Sequence, residues 1–248
     1  MAVADSTSLQ DQFQRSSSAH SRRPLLHLVS TQNERQRYLT QCVPLHKAAL
    51  KGDWKEAKKI IENGERLLIS AITKGWATVL HIAVGANHVH FVEELVKLMS
   101  HDDLELQDFK HNTAFCFAAA VGNVQIAEIM RRKNNSLPTI RGGGGGVTPL
   151  HLAVLQGRSE MAKYLFPLSK EILEEEDWTT IFLLSLNSGL YELALEMLNE
   201  KESLALDRGD NDETGLHVLA RKSPVYGSRI LRYQKHLLQF GILQAYAL

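Results

Sequence analysis

Nothing in this sequence is apolar for long enough to cross a bilayer, which takes about 20 residues. The best uncharged runs, WTTIFLLSLNSGLY and the last 13 residues, HLLQFGILQAYAL, are too short. The start, MAVADSTSLQDQFQRSSSAHSRRP, lacks the apolar stretch of a secretory signal. Cysteine is nearly missing: Cys42 and Cys116 stand far apart with no paired spacing. That excludes a disulfide framework and a paired-cysteine zinc motif, and it fits a reducing compartment. Neither sign of charge is in excess, with 28 basic against 28 acidic residues. No global field therefore points to nucleic acid or to an anionic membrane. The expectation is a soluble, cytoplasmic chain whose 248 residues suffice for one or two domains with a substantial core.

What is present is a period. VPLHKAALKGD begins at Val43, TVLHIAVGANH at Thr78, TAFCFAAAVGN at Thr113 and TPLHLAVLQGR at Thr148, each start 35 residues after the last. TIFLLSLNSGL follows at Thr180 and TGLHVLARKSP at Thr214, after 32 and 34 residues. Units of about 33 residues carrying T-P-L-H-x-A resemble the ankyrin repeat. The resemblance runs from about Tyr38 to Lys222 and implies an all-α ankyrin-repeat solenoid of about six helix-turn-helix units with finger loops.

The residues suit that fold. Thr78, Thr113, Thr148, Thr180 and Thr214 stand where a first helix would begin, and a threonine hydroxyl there caps free backbone N–H groups. Val43 in the first unit caps less well. Pro149 falls just inside a helix start, where its missing N–H costs nothing. Nine residues after each start come Gly52, Asn87, Gly122, Gly157 and Gly189. These residue types close a helix in the left-handed region, which costs other side chains about 1–2 kcal/mol. The sixth unit has Ser223 and Pro224 at that place and is expected to be incomplete. The return helices carry an apolar stripe at helical spacing: Val92, Leu95, Val96 and Met99 in the second unit, and Met161, Ala162, Leu165 and Phe166 in the fourth. First helices hold small residues such as Ala48, Ala49, Ala118 and Ala119, which let neighbouring units approach. No unit buries its stripe alone, so the stack is the core.

Several constellations tempt a catalytic or metal reading and fail it. The run GGGGGVTPLHLAVLQG starting at Gly142 lacks the lysine that a phosphate-cradling P-loop needs, and Val147 breaks the dinucleotide fingerprint. Its place just before Thr148 makes it a finger tip, like KGWA, FKHN, EDWT and NDE before the other starts. His46, His81, His151 and His217 recur at one position of successive units. Packed helices lie about 8–10 Å apart, whereas zinc holds nitrogen at about 2.1 Å, so these imidazoles are expected to bond neighbouring loops instead. The acidic EEED from Glu174 to Asp177 reads as a solvated face. No catalytic residue, metal site or cofactor is expected, and the chain is not an enzyme by this reading.

In ankyrin-repeat proteins the fingers and the exposed ends of the first helices line a concave face that contacts partners. Carried over by position, the resemblance selects Lys74, Trp76, Phe109, Lys110, His111 and Trp178 on the fingers. On the helix ends it selects Leu50, Lys51, Gln156, Asn187, Arg221 and Lys222. Tryptophan and arginine are favoured hot spots for binding. Residues 1–37, rich in serine and glutamine, are expected to be disordered. PLLHLV at Pro24 echoes a repeat start but lies too close to His46 for a full unit, and RSSS and SRR are frequent kinase-type matches. Residues 38–222 are the repeat domain, and 223–248 read as a helix with an apolar tail.

HKAALKGDWKEAKKIIE, ITKGWATVLHIAVGANHVHFVEELVKLM and TPLHLAVLQGRSEMAKYL resemble the plant ankyrin-repeat family whose longer members carry a PGG-motif membrane domain. That resemblance implies a non-enzymatic scaffold or adaptor in stress or defence signalling. Its partners would be proteins, including full-length family members, and neither nucleic acid nor a bilayer. This chain carries neither the Pro-Gly-Gly motif nor a membrane helix. The alternative is the cytosolic regulatory portion of a membrane-anchored relative, held at the membrane face through a partner or a longer isoform.

Overall fold

The computed structural model describes residues 22–26, 32–64 and 66–222. Helix α1 (Gln32–Arg37) passes through a π-helical turn, Tyr38–Cys42, straight into α2 (Val43–Lys51). This continuity explains why Val43 suffices at a place where later units use threonine: the preceding turn supplies the partners that a cap would. The remaining helices come in pairs. Helix α2 pairs with α3 (Trp54–Glu62), and α4 (Val79–Gly85) with α5 (Val89–Leu98). Next come α6 (Ala114–Val121) with α7 (Val124–Lys133), and α8 (Pro149–Leu155) with α9 (Ser159–Ser169). The last pair is α10 (Glu175–Ser188) with α11 (Tyr191–Glu200), followed by α12 (Gly215–Arg221).

Each pair turns at the residue expected from the period. Gly52, Asn87, Gly122, Gly157 and Gly189 all have positive φ, between 65° and 88°. At Gly52 and Gly122 a second constraint operates. An added Cβ would stand 2.7 Å from the His88 ring and 2.7 Å from the Arg158 side chain. Those two side chains need the space, because each ties its unit to the one before. His88 Nε2 donates to the Leu50 carbonyl at 2.9 Å, and Arg158 Nε to the Ala120 carbonyl at 3.0 Å. Lys222 reaches the Asn187 carbonyl in the same way, and Asn123 Nδ2 donates to Asn87 Oδ1 at 2.6 Å.

The threonine caps hold at four of five places. Thr148 accepts from the His151 N–H at 3.1 Å and Thr113 from the Cys116 N–H at 3.4 Å. Thr78 and Thr214 form reciprocal capping boxes with His81 and His217. The exception is Thr180, which sits exposed inside α10. That helix starts five residues earlier, because Glu174 and Asp177 form a capping box and Glu175, Glu176 and Asp177 occupy its first turn. Carboxylates there meet the positive end of the helix dipole. Arg141 clamps the same turn with both terminal nitrogens on Asp177. The run EEED is thus a helix start whose Glu174, Glu175 and Glu176 stay exposed, as a solvated face would, and EDWT is helix, so no finger precedes the fifth unit.

First helices stack on first helices and return helices on return helices, giving one continuous apolar core from Cys42 to Leu219. The stripe residues Val92, Leu95, Val96, Met99, Met161, Ala162, Leu165 and Phe166 are all buried, as are Ala48, Ala49, Ala118 and Ala119. Within the stretch expected to lack structure, residues 22–26 run extended against the stack with Pro24 buried, and α1 forms at its end. Ser223, Pro224 and the helix expected over 223–248 lie outside the described residues.

Candidate protein-binding face

Three fingers stand side by side ahead of α4, α6 and α8. The first closes with Ile72 N–H donating to the Ala77 carbonyl at 2.9 Å. The second closes with Asp108 N–H to Asn112 carbonyl at 2.9 Å, and Asp108 Oδ1 also accepts from the Lys110 and Asn112 N–H groups. The third is the glycine run, closed by two bonds between Gly142 and Val147. Its amides are already engaged: Gly143 donates to Asn112 Oδ1 and Gly144 to the Lys110 carbonyl, each at 3.0 Å. Gly142 lies so close to the second finger that an added Cβ would be 2.4 Å from Asn112 Oδ1. Glycine here serves close packing of two fingers.

Trp76 and His111 occupy matching places in the first two fingers and share a left-handed backbone, φ 60° at each. The Phe109 N–H donates to the Gly75 carbonyl at 2.9 Å, which pins the second tip to the first. As a result the Phe109 ring meets Trp76 edge to face at 5.2 Å, while Phe109 remains 61% exposed. Lys74, Lys110 and His111, on the same two tips, are exposed. The Arg23 guanidinium lies 5.7 Å from the Trp76 ring centre.

Beneath the fingers, His81 joins two units. Its Nε2 is 3.0 Å from the Asn112 carbonyl, which only accepts, so Nε2 carries the proton. Nδ1 then accepts from the Thr78 N–H at 3.2 Å. Burial holds the His81 pKa below its ordinary value, and the imidazole is neutral. Burial likewise pushes the Cys116 thiol up, so it is a poor nucleophile. Among the described residues no group of three or more His, Cys, Asp or Glu is placed to hold a metal ion, and no helix is long and apolar enough to cross a membrane.

At the base of the second finger, Glu105 accepts from Asn134 Nδ2, Ser136 Oγ and Arg22 Nε, each at 3.0 Å. Partial burial raises the Glu105 pKa, but these donors outweigh it and the carboxyl sits below its usual range.

Residues 80–176 match the family model for ankyrin repeats in three copies. These are ankyrin repeats. No curated protein matches the chain. Ankyrin repeats are protein-interaction modules and generally not enzymes.

The ankyrin stack brings together five of the residues selected from the sequence: Lys74, Trp76, Phe109, Lys110 and His111. Leu50, Lys51, Gln156 and Asn187 are exposed at first-helix ends, as the period requires. Arg221 is exposed but already bonded through two nitrogens to Glu213, at 2.6 and 2.8 Å, and Lys222 is tied to Asn187. Trp178 is not on a finger. It lies within α10, half-buried, with its ring edge-on to Phe166 at 5.7 Å. The displaced helix start accounts for this, since the finger that would have carried Trp178 does not form.

Sequence reasoning missed Arg22, Arg23 and Glu105. The echo of a repeat at Pro24 was the only sign of order near the first two. Glu105 carries no local sign, because its partners come from two distant places in the chain, Arg22 on one side and Asn134 with Ser136 on the other.

Proposed function

We propose that this chain is a protein-binding scaffold whose main contact surface is the pair of aromatic fingertips on the second and third units. The observation that carries this reading is the exposed Phe109 ring, held edge-on to Trp76 on tips that also carry the exposed Lys74, Lys110 and His111. A rigid, preorganised aromatic pair loses little side-chain freedom on binding, and aromatic anchors are frequent hot spots. Leu50, Lys51, Gln156 and Asn187 extend the surface along the first helices, with Arg221 and Lys222 at its far end, and the binding body is residues 38–222. The resemblance of three phrases to the plant PGG-type ankyrin proteins is what suggests a signalling adaptor in stress or defence. Cytoplasmic residence, and contact with full-length relatives, belong to that same reading.

A photo-reactive residue placed at Lys110, with an identical one at Glu93 on the return-helix side, tests the surface. Capture at Lys110 that is absent at Glu93 and lost on Trp76→Ala with Phe109→Ala is expected. Equal capture at both places, or capture indifferent to the two aromatics, rejects the reading.

A further inference from the structure

The segment Arg22–Leu26 is seated on the stack as a bound peptide would be. Leu25 pairs with the loop before the first finger: its N–H donates to the Ile69 carbonyl at 2.9 Å, and its carbonyl accepts from the Ala71 N–H at 2.8 Å. The result is a parallel bridge to Ser70. Three residues away, the Arg22 carbonyl accepts from the Gln107 N–H at 2.7 Å, at the base of the second finger. Three extended residues span about 10 Å at roughly 3.3–3.6 Å each, which is close to the spacing of packed helices. An extended chain crossing the stack therefore meets one finger base per three residues. Between these anchors Pro24 is buried and has no N–H to leave unsatisfied.

The side chains add chemistry that a backbone clasp lacks. Arg22 Nε pairs with Glu105 at 3.0 Å. The Glu105 carboxylate is oriented beforehand by Asn134 and Ser136, from the return-helix end of the third unit. Arg23 covers the Trp76 face, a cation–π arrangement. Strand-like pairing with pockets for alternate side chains is a general mode of peptide recognition.

We propose that the finger bases of the second and third units form a peptide site for an extended Arg-Arg-Pro-Leu sequence, filled in cis by residues 22–25 and exchanged for a partner peptide of the same chemistry. This deepens the fingertip reading and rests on it in one respect: the cis segment covers Trp76, so a partner docking there must displace it. Tethering gives the cis segment a high effective concentration, which makes the site self-blocked until a competing peptide arrives.

The test uses the full chain, a labelled peptide of residues 17–30, and amide hydrogen exchange. In the wild type the Ala71 and Gln107 amides are protected. Arg22→Glu removes the Glu105 pairing and releases the segment, so both amides exchange faster. The peptide then binds this variant at least about tenfold more tightly than the wild type, by fluorescence polarisation, and restores protection at both amides. A peptide with both arginines replaced by glutamate does neither. Leu25→Pro, which deletes the N–H donor to Ile69, gives a second released form for the same comparison. Equal affinity for wild type and both variants overturns the proposal. So does binding without slowed exchange at Ala71 and Gln107, or a sedimenting dimer that exchanges the segment between copies. If the peptide fails while capture at Lys110 persists, the fingertip reading stands alone. If the peptide binds and Lys110 captures nothing, the converse holds.

Discussion

Replacing Gly122 by alanine isolates what the inter-helix turn contributes. The backbone there has φ 88°, a region that costs a residue with a Cβ about 1–2 kcal/mol. The new methyl would also stand 2.7 Å from Arg158 Cδ, so the arginine must move and its 3.0 Å bond to the Ala120 carbonyl is lost. A hydrogen bond from a charged donor contributes about 1.5–3 kcal/mol when well formed. This one is on an exposed surface, and about 1 kcal/mol is the appropriate share. The total is about 2–3 kcal/mol. Gly157 is the control: its φ is 65°, and nothing lies within 4 Å of an added Cβ. Gly157→Ala carries only the backbone cost, about 1–2 kcal/mol. Urea unfolding followed by circular dichroism, with the slope checked for constancy, measures both. Equal losses at the two positions would refute the claim that Gly122 makes room for the next unit.

Other expected outcomes follow from the same structure. His81 has a native pKa below its ordinary 6.5, so the unfolded chain takes up a proton first as pH falls. Stability is whole above pH 6.5 and declines below it, by up to about 1.4 kcal/mol per pH unit. His151, also lowered by burial, adds in the same direction, and His81→Gln should flatten the slope below pH 6.5. Arg141→Ala should cost about 2 kcal/mol in urea, because Asp177 keeps its partial burial and loses a bidentate partner. Phe115→Ala should cost about 3–5 kcal/mol from a fully buried site. Phe109→Ala removes one edge-to-face contact and should cost no more than about 1.5 kcal/mol, while abolishing capture at Lys110.

The parts of the fold that were legible in the sequence are those set by local chemistry at a fixed period. Each of the five helix-closing residues adopts positive φ, because the left-handed turn tolerates few alternatives and so marks the sequence. The stripe at Val92 to Met99 is equally plain, since burial on one face demands it. Thr180 misled because two starts compete there: a threonine in register and an acidic turn four to five residues earlier. The acidic turn has a capping partner and the Arg141 clamp, and a contact across 36 positions leaves no local sign. Trp178 went astray with it. Residues 22–26 are hidden for a different reason. Their order is lent by backbone groups of Ile69, Ala71 and Gln107, which no side-chain pattern records.

The ties at the inter-helix turns point one way. In each, a donor on the later unit (His88, Asn123, Arg158 or Lys222) reaches an acceptor on the earlier one. At these turns the loss of a later unit strands no donor, whereas deletion of the opening pair would leave His88 facing a vanished carbonyl. For side chains on the finger side the direction reverses, with His81 on the Asn112 carbonyl and Arg141 on Asp177. The row is thus laced in opposite senses along its two sides, and the second and fourth units each have a donor unpaired whichever neighbour is removed.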